Sequence, residues 1–358
     1  MAANFVELVR LRATSQPDVY VSCANPEKMG NPADIAYGGC VQALAVQAAF
    51  KSIESRKELL NFEIYSMLGN YLGPTYADRK VKLTVSNIRN TRSFATRFVI
   101  ATQQMDNGNE RNTFSATVDF VAPNRIHNAK AGAPFTRYSR KPRMQYAQPE
   151  QLPSMRDIVL RKVQEGKVDR DAADYLENTV FALNQKTLIS AFPPQGLHAQ
   201  NAFGLDPLAE SDQHAAPLAD RFSVDWAKSM QDFTLPAPTP SVDKLPQSDF
   251  KDVGPPLAVT SASANASLVV FMMDGALSFI PLTFSKMSLL DAGAASSLDC
   301  AIRFFAVPDM NLFHLREMQT ITGNECRTYS EAFLWDRQQN LVASMTQACV
   351  LRPHMHRL

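Results

Sequence analysis

Two stretches, FSATVDFVAP at Phe114–Pro123 and ASMTQACVLRP at Ala343–Pro353, decide how this chain reads. Counted backwards from the proline they align without a gap, and each reads as a long, largely apolar strand. Each also closes a series of the same kind. Before the first come an apolar helix rich in small residues, expected over Ile35–Ile53, and strands expected over Phe62–Leu72, Lys80–Asn87 and Ser93–Gln104, the final strand being Asn112–Val121. Before the second come a helix expected over Leu268–Ser285 and strands expected over Leu298–Ala306, Asn311–Thr320 and Cys326–Asp336, the final strand being Leu341–Leu351. Period-2 alternation, as in Lys82-Leu-Thr-Val-Ser-Asn-Ile, and turn signals such as Asp106-Asn-Gly-Asn support the strand assignments. A duplicated α+β unit is the economical explanation.

An antiparallel sheet wrapped around one long Gly/Ala-rich helix is the hotdog arrangement, because small residues let such a helix lie close to the concave face of the sheet. The expected fold is therefore a double hotdog with the two sheets joined edge to edge. Residues 1–125 are expected to form the N-terminal repeat and 266–358 the C-terminal repeat that carries the active site. The segment 126–265 is expected to be a partly irregular linker or crossing segment. It holds proline runs such as Leu235-Pro-Ala-Pro-Thr-Pro and Gly254-Pro-Pro, with helices expected near 154–164 and 169–187.

The 358 residues suit two domains or a duplicated one at ~100–200 residues each. Lys+Arg of 36 against Asp+Glu of 35 leaves a net charge of +1, without the basic surplus that phosphate binding needs, so no nucleic-acid partner is expected. The longest apolar run, Ala266 to Ile280, is cut by Asp274 and falls short of the ~20 residues of a membrane helix, so no membrane span is expected. Met1–Arg12 carries Glu7 and two arginines without the apolar region of a secretory signal. The five cysteines, Cys23, Cys40, Cys300, Cys326 and Cys349, show no metal-ligand spacing and read as free, inert thiols of a reducing compartment. No metal and no cofactor are expected.

Nucleophile-elbow, phosphate-loop, dinucleotide-binding and zinc-helix motifs are absent, and the six histidines are scattered over loops and the tail. What remains is an acid in an apolar setting, Asp274 of LVVFMMDGALSFIPL. A carboxylate there costs several kcal/mol unless it is paired, hydrogen-bonded or protonated. It fits a satisfied cap or turn, and it equally fits a reactive group at the open end of the helix. Two further polar residues belong with it: Ser297, ahead of LDCAIRFF, and Gln347, in the apolar strand LVASMTQACVL. Gln347 also fits an ordinary strand-edge hydrogen bonder. The gapless alignment puts Thr117 at the place of Gln347 in the first repeat, and Gly38 and Gly39 near the place of Asp274, so one active site per chain is expected.

The chain resembles the acyl-CoA thioesterase II family of double-hotdog enzymes. The residues that carry the resemblance are Ala36-Tyr-Gly-Gly-Cys-Val-Gln-Ala-Leu, Ile88-Arg-Asn-Thr-Arg-Ser-Phe-Ala-Thr-Arg, Ser297-Leu-Asp-Cys-Ala-Ile-Arg-Phe-Phe and Leu341-Val-Ala-Ser-Met-Thr-Gln. The resemblance implies hydrolysis of an acyl-CoA thioester to a carboxylic acid and free CoA. By motif, Asp274, Ser297 and Gln347 would orient and activate a water, and backbone N–H groups near Gly275 and Ala276 would bind the oxyanion. Three positions depart from the family pattern: Cys300 and Phe305 stand where histidines are usual, and Arg303 where a tryptophan is usual. These departures bear on the substrate more than on the reaction. A polyketide-type thioester, hydrolysed, transferred or cyclised, is the alternative reading, and a non-catalytic acyl-binding protein is a third. The family also implies a homo-oligomer and a role in lipid and fatty-acid metabolism. The ending His356-Arg357-Leu358 partly matches a peroxisomal address, so the expected location is the peroxisome or the cytoplasm.

Overall fold

In the computed structural model, which describes residues 2, 4–31, 33–123, 138–234 and 253–353, the small apolar residues at 38–50 wind into the helix that their pattern requires. A short helix, α1 (Phe5–Val9), and strands β1 (Leu11–Thr14) and β2 (Val19–Ser22) come first. The long helix α2 (Gly38–Glu54) follows, with Ala43, Ala45, Ala48 and Ala49 wholly buried. A helix apolar all round belongs inside a protein. It packs on the middle of an antiparallel sheet ordered β3 (Glu63–Tyr71), β6 (Glu110–Val121), β5 (Phe94–Gln104), β4 (Lys82–Asn90), β2, β1 and β9 (Val253–Pro256). These elements make up one compact unit, Met1–Arg140 with Gln231–Met272 and Ala301–Met310.

A second unit comprises Lys141–Met230, Met273–Cys300 and Asn311–Leu358. Its sheet is also antiparallel, in the order β7 (Leu188–Ala191), β8 (Ser223–Ser229), β12 (His314–Asn324), β13 (Arg327–Trp335), β14 (Leu341–Pro353) and β10 (Ala292–Ser297). One more strand, β11 (Asp299–Phe304), follows β10 along the chain. The middle segment does more than link. Ala191, Phe222, Val224 and Trp226 form a buried cluster with Leu315 and Trp335, and the Trp226 indole N–H donates to the Ala147 carbonyl at 3.1 Å. The strands that carry them are only 4 and 7 residues long, too short for a clear alternating pattern among the prolines. The helices expected there are present: α3 (Met155–Gln164), opened by a Ser154/Asp157 capping box, then α4 (Arg170–Tyr175) and α5 (Ala182–Thr187), joined by a π-turn at Leu176–Val180.

The helix expected over Leu268–Ser285 lies earlier, as α7 (Ser261–Asp274), after the short α6 (Leu197–Gln200); the chain resumes as α8 (Ile280–Phe284). Its start was obscured by hydrophilic residues that are buried yet satisfied. Thr260 and Ser263 cap each other's backbone N–H, Gln47 donates to Ser267 at 3.1 Å, and Asn265 accepts from the Met310 amide. Its end is set by Ala276, whose φ of 78° is left-handed and stops the α-helical ladder.

A second correction concerns register. On β6 the buried face carries Ala116, Val118 and Phe120, whereas Thr117 lies on the half-exposed face with Ser115 and Asp119. On β14 the buried face carries Met345, Gln347 and Cys349. Thr117 is thus not the counterpart of Gln347, because a one-residue slip in a strand moves a side chain to the other face. The proline run at 235–240 and the ending His356-Arg357-Leu358 lie outside the described residues. Among the described residues no helix is long and apolar enough to cross a membrane.

Candidate active site

Three polar side chains converge in the second unit. Asp274 is the last residue of α7, Ser297 the last of β10, and Gln347 lies on the buried face of β14. Strand pairing sets Ser297 opposite Cys349, so Gln347, two residues along the same face, reaches Ser297 with its side chain. The Gln347 amide nitrogen donates to Ser297 Oγ at 3.0 Å and also to Asp274 Oδ1. Asp274 is 5% exposed and Gln347 wholly buried. The structure therefore brings together the three residues that the sequence singles out.

Donation through Nε2 fixes the orientation of the amide, since a carboxylate can only accept. Gln347 Oε1 then faces inward, buried and without a hydrogen-bond partner among the described residues. A buried acceptor of this kind is costly unless something donates to it, and a water is the simplest donor. Asp274 itself stands at the negative end of a helix dipole, where a carboxylate is disfavoured and a nearby cation is welcome. Arg316 of β12 supplies that cation, donating to the Gly275 carbonyl at 3.1 Å.

The backbone after Asp274 is held in an uncommon state. A non-glycine residue in the left-handed region costs ~1–3 kcal/mol and persists only where its surroundings impose it. Here the Ala276 carbonyl accepts from the Phe279 and Ile280 amides, both at 3.0 Å, and so starts α8. Among the described residues, the Ala276 N–H donates to no other backbone group.

Other chemistry is not set up nearby. Burial first, and then the Asp274 charge, pushes the Cys349 thiol well above its usual range, so it is no thiolate nucleophile. Of the cysteines, Cys23, Cys40, Cys300 and Cys349 are buried and Cys326 exposed. Two histidines expected on loops or the tail are buried instead: His198 pairs with Thr283, and His314 with the Leu312 carbonyl. The serine bonded to His198, Ser223, accepts from the backbone N–H at 3.1 Å and not from the imidazole. No cluster of His, Cys, Asp and Glu suited to a metal ion occurs among the described residues. The three departures from the family pattern are placed as follows: Cys300 is buried, while Arg303 and Phe305 are exposed, Phe305 by 57%.

Sequence reasoning missed Arg316 and its partner Asp225, and also Asp299, whose carboxylate accepts from the Ala348 amide at 3.1 Å beside Gln347. For Asp299, its place as the third residue of the Ser297-Leu-Asp motif was the one available signal.

Residues 25–121 match the acyl-CoA thioesterase N-terminal domain, and residues 210–351 match the acyl-CoA thioesterase C-terminal domain. No curated protein matches the chain by sequence. Among solved structures, a tesB protein of Mycobacterium avium subsp. paratuberculosis is similar with a TM-score of 0.61 at 14% identity, over 99% of this chain and 100% of that one. The acyl-CoA thioesterase II TesB2 of Mycobacterium marinum gives 0.59 at 14% identity, over 98% of each chain. A hot dog fold protein of Alicyclobacillus acidocaldarius gives 0.57 at 11% identity, also over 98% of each. At these identities the likeness carries the fold, and the domain matches carry the family. The chain belongs to the acyl-CoA thioesterase family and is a thioester hydrolase with a double-hotdog α+β fold.

Proposed function

We propose that the chain hydrolyses an acyl-CoA thioester by direct attack of a water held and activated by Asp274, Ser297 and Gln347. The observation that supports this reading is the single Gln347 amide that donates to both Asp274 and Ser297 while its buried oxygen stays unbonded. A water donating one proton to that oxygen and the other to Asp274 has a lone pair left for the thioester carbon. Asp274 takes the proton as general base, typically worth ~10²–10⁴-fold. The carbonyl oxygen becomes an oxyanion that a backbone N–H near Gly275 and Ala276 stabilises, worth ~10²–10³-fold per donor. Collapse expels CoA as its thiolate, which recovers the proton from Asp274. Ser297 orients the water and does not attack, because the side chains it bonds, the Gln347 amide and the Cys349 thiol, are not bases.

The deciding experiment measures thiol release from acyl-CoAs of graded chain length. Wild-type protein releases thiol and Gln347→Ala does not; absence of release at every chain length would overturn the reading. A pathway-specific thioester is the second reading, favoured by Cys300, Arg303 and Phe305 at positions where the family resemblance leads one to expect His, Trp and His. It predicts slow turnover of all simple acyl-CoAs and fast turnover of a polyketide-type thioester.

A further inference from the structure

Arg316 is built into the fold in a way that bears on the backbone beside Asp274. Strand register sets it directly opposite Asp225 of β8. From Nε and Nη2 it donates to the two carboxylate oxygens of Asp225, each at 2.9 Å, and from Nη1 to the Gly275 carbonyl at 3.1 Å. Both residues are buried, Asp225 at 2% exposure and Arg316 at 8%. A bidentate pair fixes the plane of the guanidinium, so the third donor has a defined direction. A buried ion pair is poor evidence for added stability, since well-packed apolar residues often do as well. What this pair does supply is orientation.

The peptide group between Gly275 and Ala276 is planar and trans, so its C=O and N–H point in opposite directions. Holding the Gly275 carbonyl toward Arg316 turns the Ala276 N–H away from it. The left-handed φ of Ala276 and the capping of α8 by its carbonyl hold the other side of the same residue. We infer that Arg316 is a positioning residue for hydrolysis: braced by Asp225, it holds the Gly275 carbonyl and so presents the Ala276 N–H to the thioester oxyanion. This rests on the water-attack reading above.

The test replaces the ion pair as a unit. D225L/R316M removes the tether and leaves neither member of the ion pair as a lone buried charge, so its thermal midpoint is expected to stay near that of wild type. Its kcat on the best acyl-CoA is expected to fall about 10- to 100-fold with KM within about 3-fold, the signature of an interaction made in the transition state. R316K keeps a cation beside Asp225 but cannot hold both partners, and it is expected to fall between the two. A folded pair variant with kcat within 3-fold of wild type overturns the inference. If the pair variant melts early, R316K decides: wild-type kcat there overturns the inference equally. A wild-type protein inert toward every acyl thioester would instead overturn the hydrolase reading on which the inference rests.

Discussion

Gln347 donates to two partners at once, and that makes its neighbours interdependent. Removing the amide frees Asp274 and Ser297 to turn, and removing either partner lets the amide rotate off its acceptor. Asp274→Asn, Ser297→Ala and Gln347→Ala should therefore each lower kcat by about 10²-fold or more, with double variants falling little further. Losses that simply multiply would show that the three do not act on one water. Thr117 supplies the contrast. It lies on the half-exposed face of β6, and its inward neighbours are Ala116 and Val118. The first repeat thus has no amide where the second has Gln347, and Thr117→Ala should leave turnover within about 3-fold of wild type. A loss comparable to that of Gln347→Ala would place a second working site in the chain.

Elements were legible to the extent that their own residues determine them. Helix α2 reads plainly because small apolar side chains recur without a break, and β14 because its apolar run is long. The start of α7 did not, because Asn265 and Ser267 read as surface until their partners elsewhere in the chain are known, and Ser263 until its mutual cap with Thr260 is. The Asp225–Arg316 pair was invisible for the same reason: it exists only through the β8–β12 register, across 91 residues of chain. The contact of α2 with α7 offers a direct check. A Cβ on Gly39 would lie 2.7 Å from the Phe271 carbonyl oxygen and 2.4 Å from the Tyr37 ring, whose hydroxyl donates to that same carbonyl. Gly39→Ala should cost ~1–3 kcal/mol in denaturant unfolding by forcing the helices apart. The seat of α6 on α8 gives a pH dependence. His198 is wholly buried, stacked on Phe203 at 4.2 Å and bonded to Thr283 at 3.0 Å. Burial, helped by the Arg316 charge, lowers its pKa from 6.5 to about 3. A base kept neutral in this way contributes fully above pH 6.5. Its contribution is lost as pH falls toward 3, because the unfolded chain takes the proton first. Unfolding free energy should decline by about 1.4 kcal/mol per pH unit across that window from this group, and His198→Phe should flatten the slope. An unchanged slope would assign the acid sensitivity to other groups.

At the scale of the whole chain, the two repeats seen in the sequence are not the two compact units of the structure. The N-terminal unit takes up Gln231–Met272 and Ala301–Met310, and the other takes up Lys141–Met230. Helix α7 illustrates the consequence. It begins at Ser261, ahead of the repeat that starts at 266, and its buried Ser267 is satisfied by α2: Gln47 donates to Ser267, which donates in turn to the Ala43 carbonyl at 3.3 Å. Strand β12 depends likewise on β8, which supplies Trp226 to its core and Asp225 to Arg316. A fragment of residues 266–358 would lose the first turn of α7 with its Thr260–Ser263 cap. It would also take from Ser267 its Gln47 and Ala43 partners and from Arg316 its Asp225 partner, each a penalty of ~1–3 kcal/mol or more in a buried site. Against a total stability of ~5–15 kcal/mol for a domain, these losses remove a large share of what one half of the chain could have. Expressed alone, residues 266–358 should show no cooperative thermal transition by circular dichroism, whereas the full chain should melt cooperatively. A sharp melt from the fragment would mean that the repeat folds by itself, and that the interleaving of segments adds nothing to its stability.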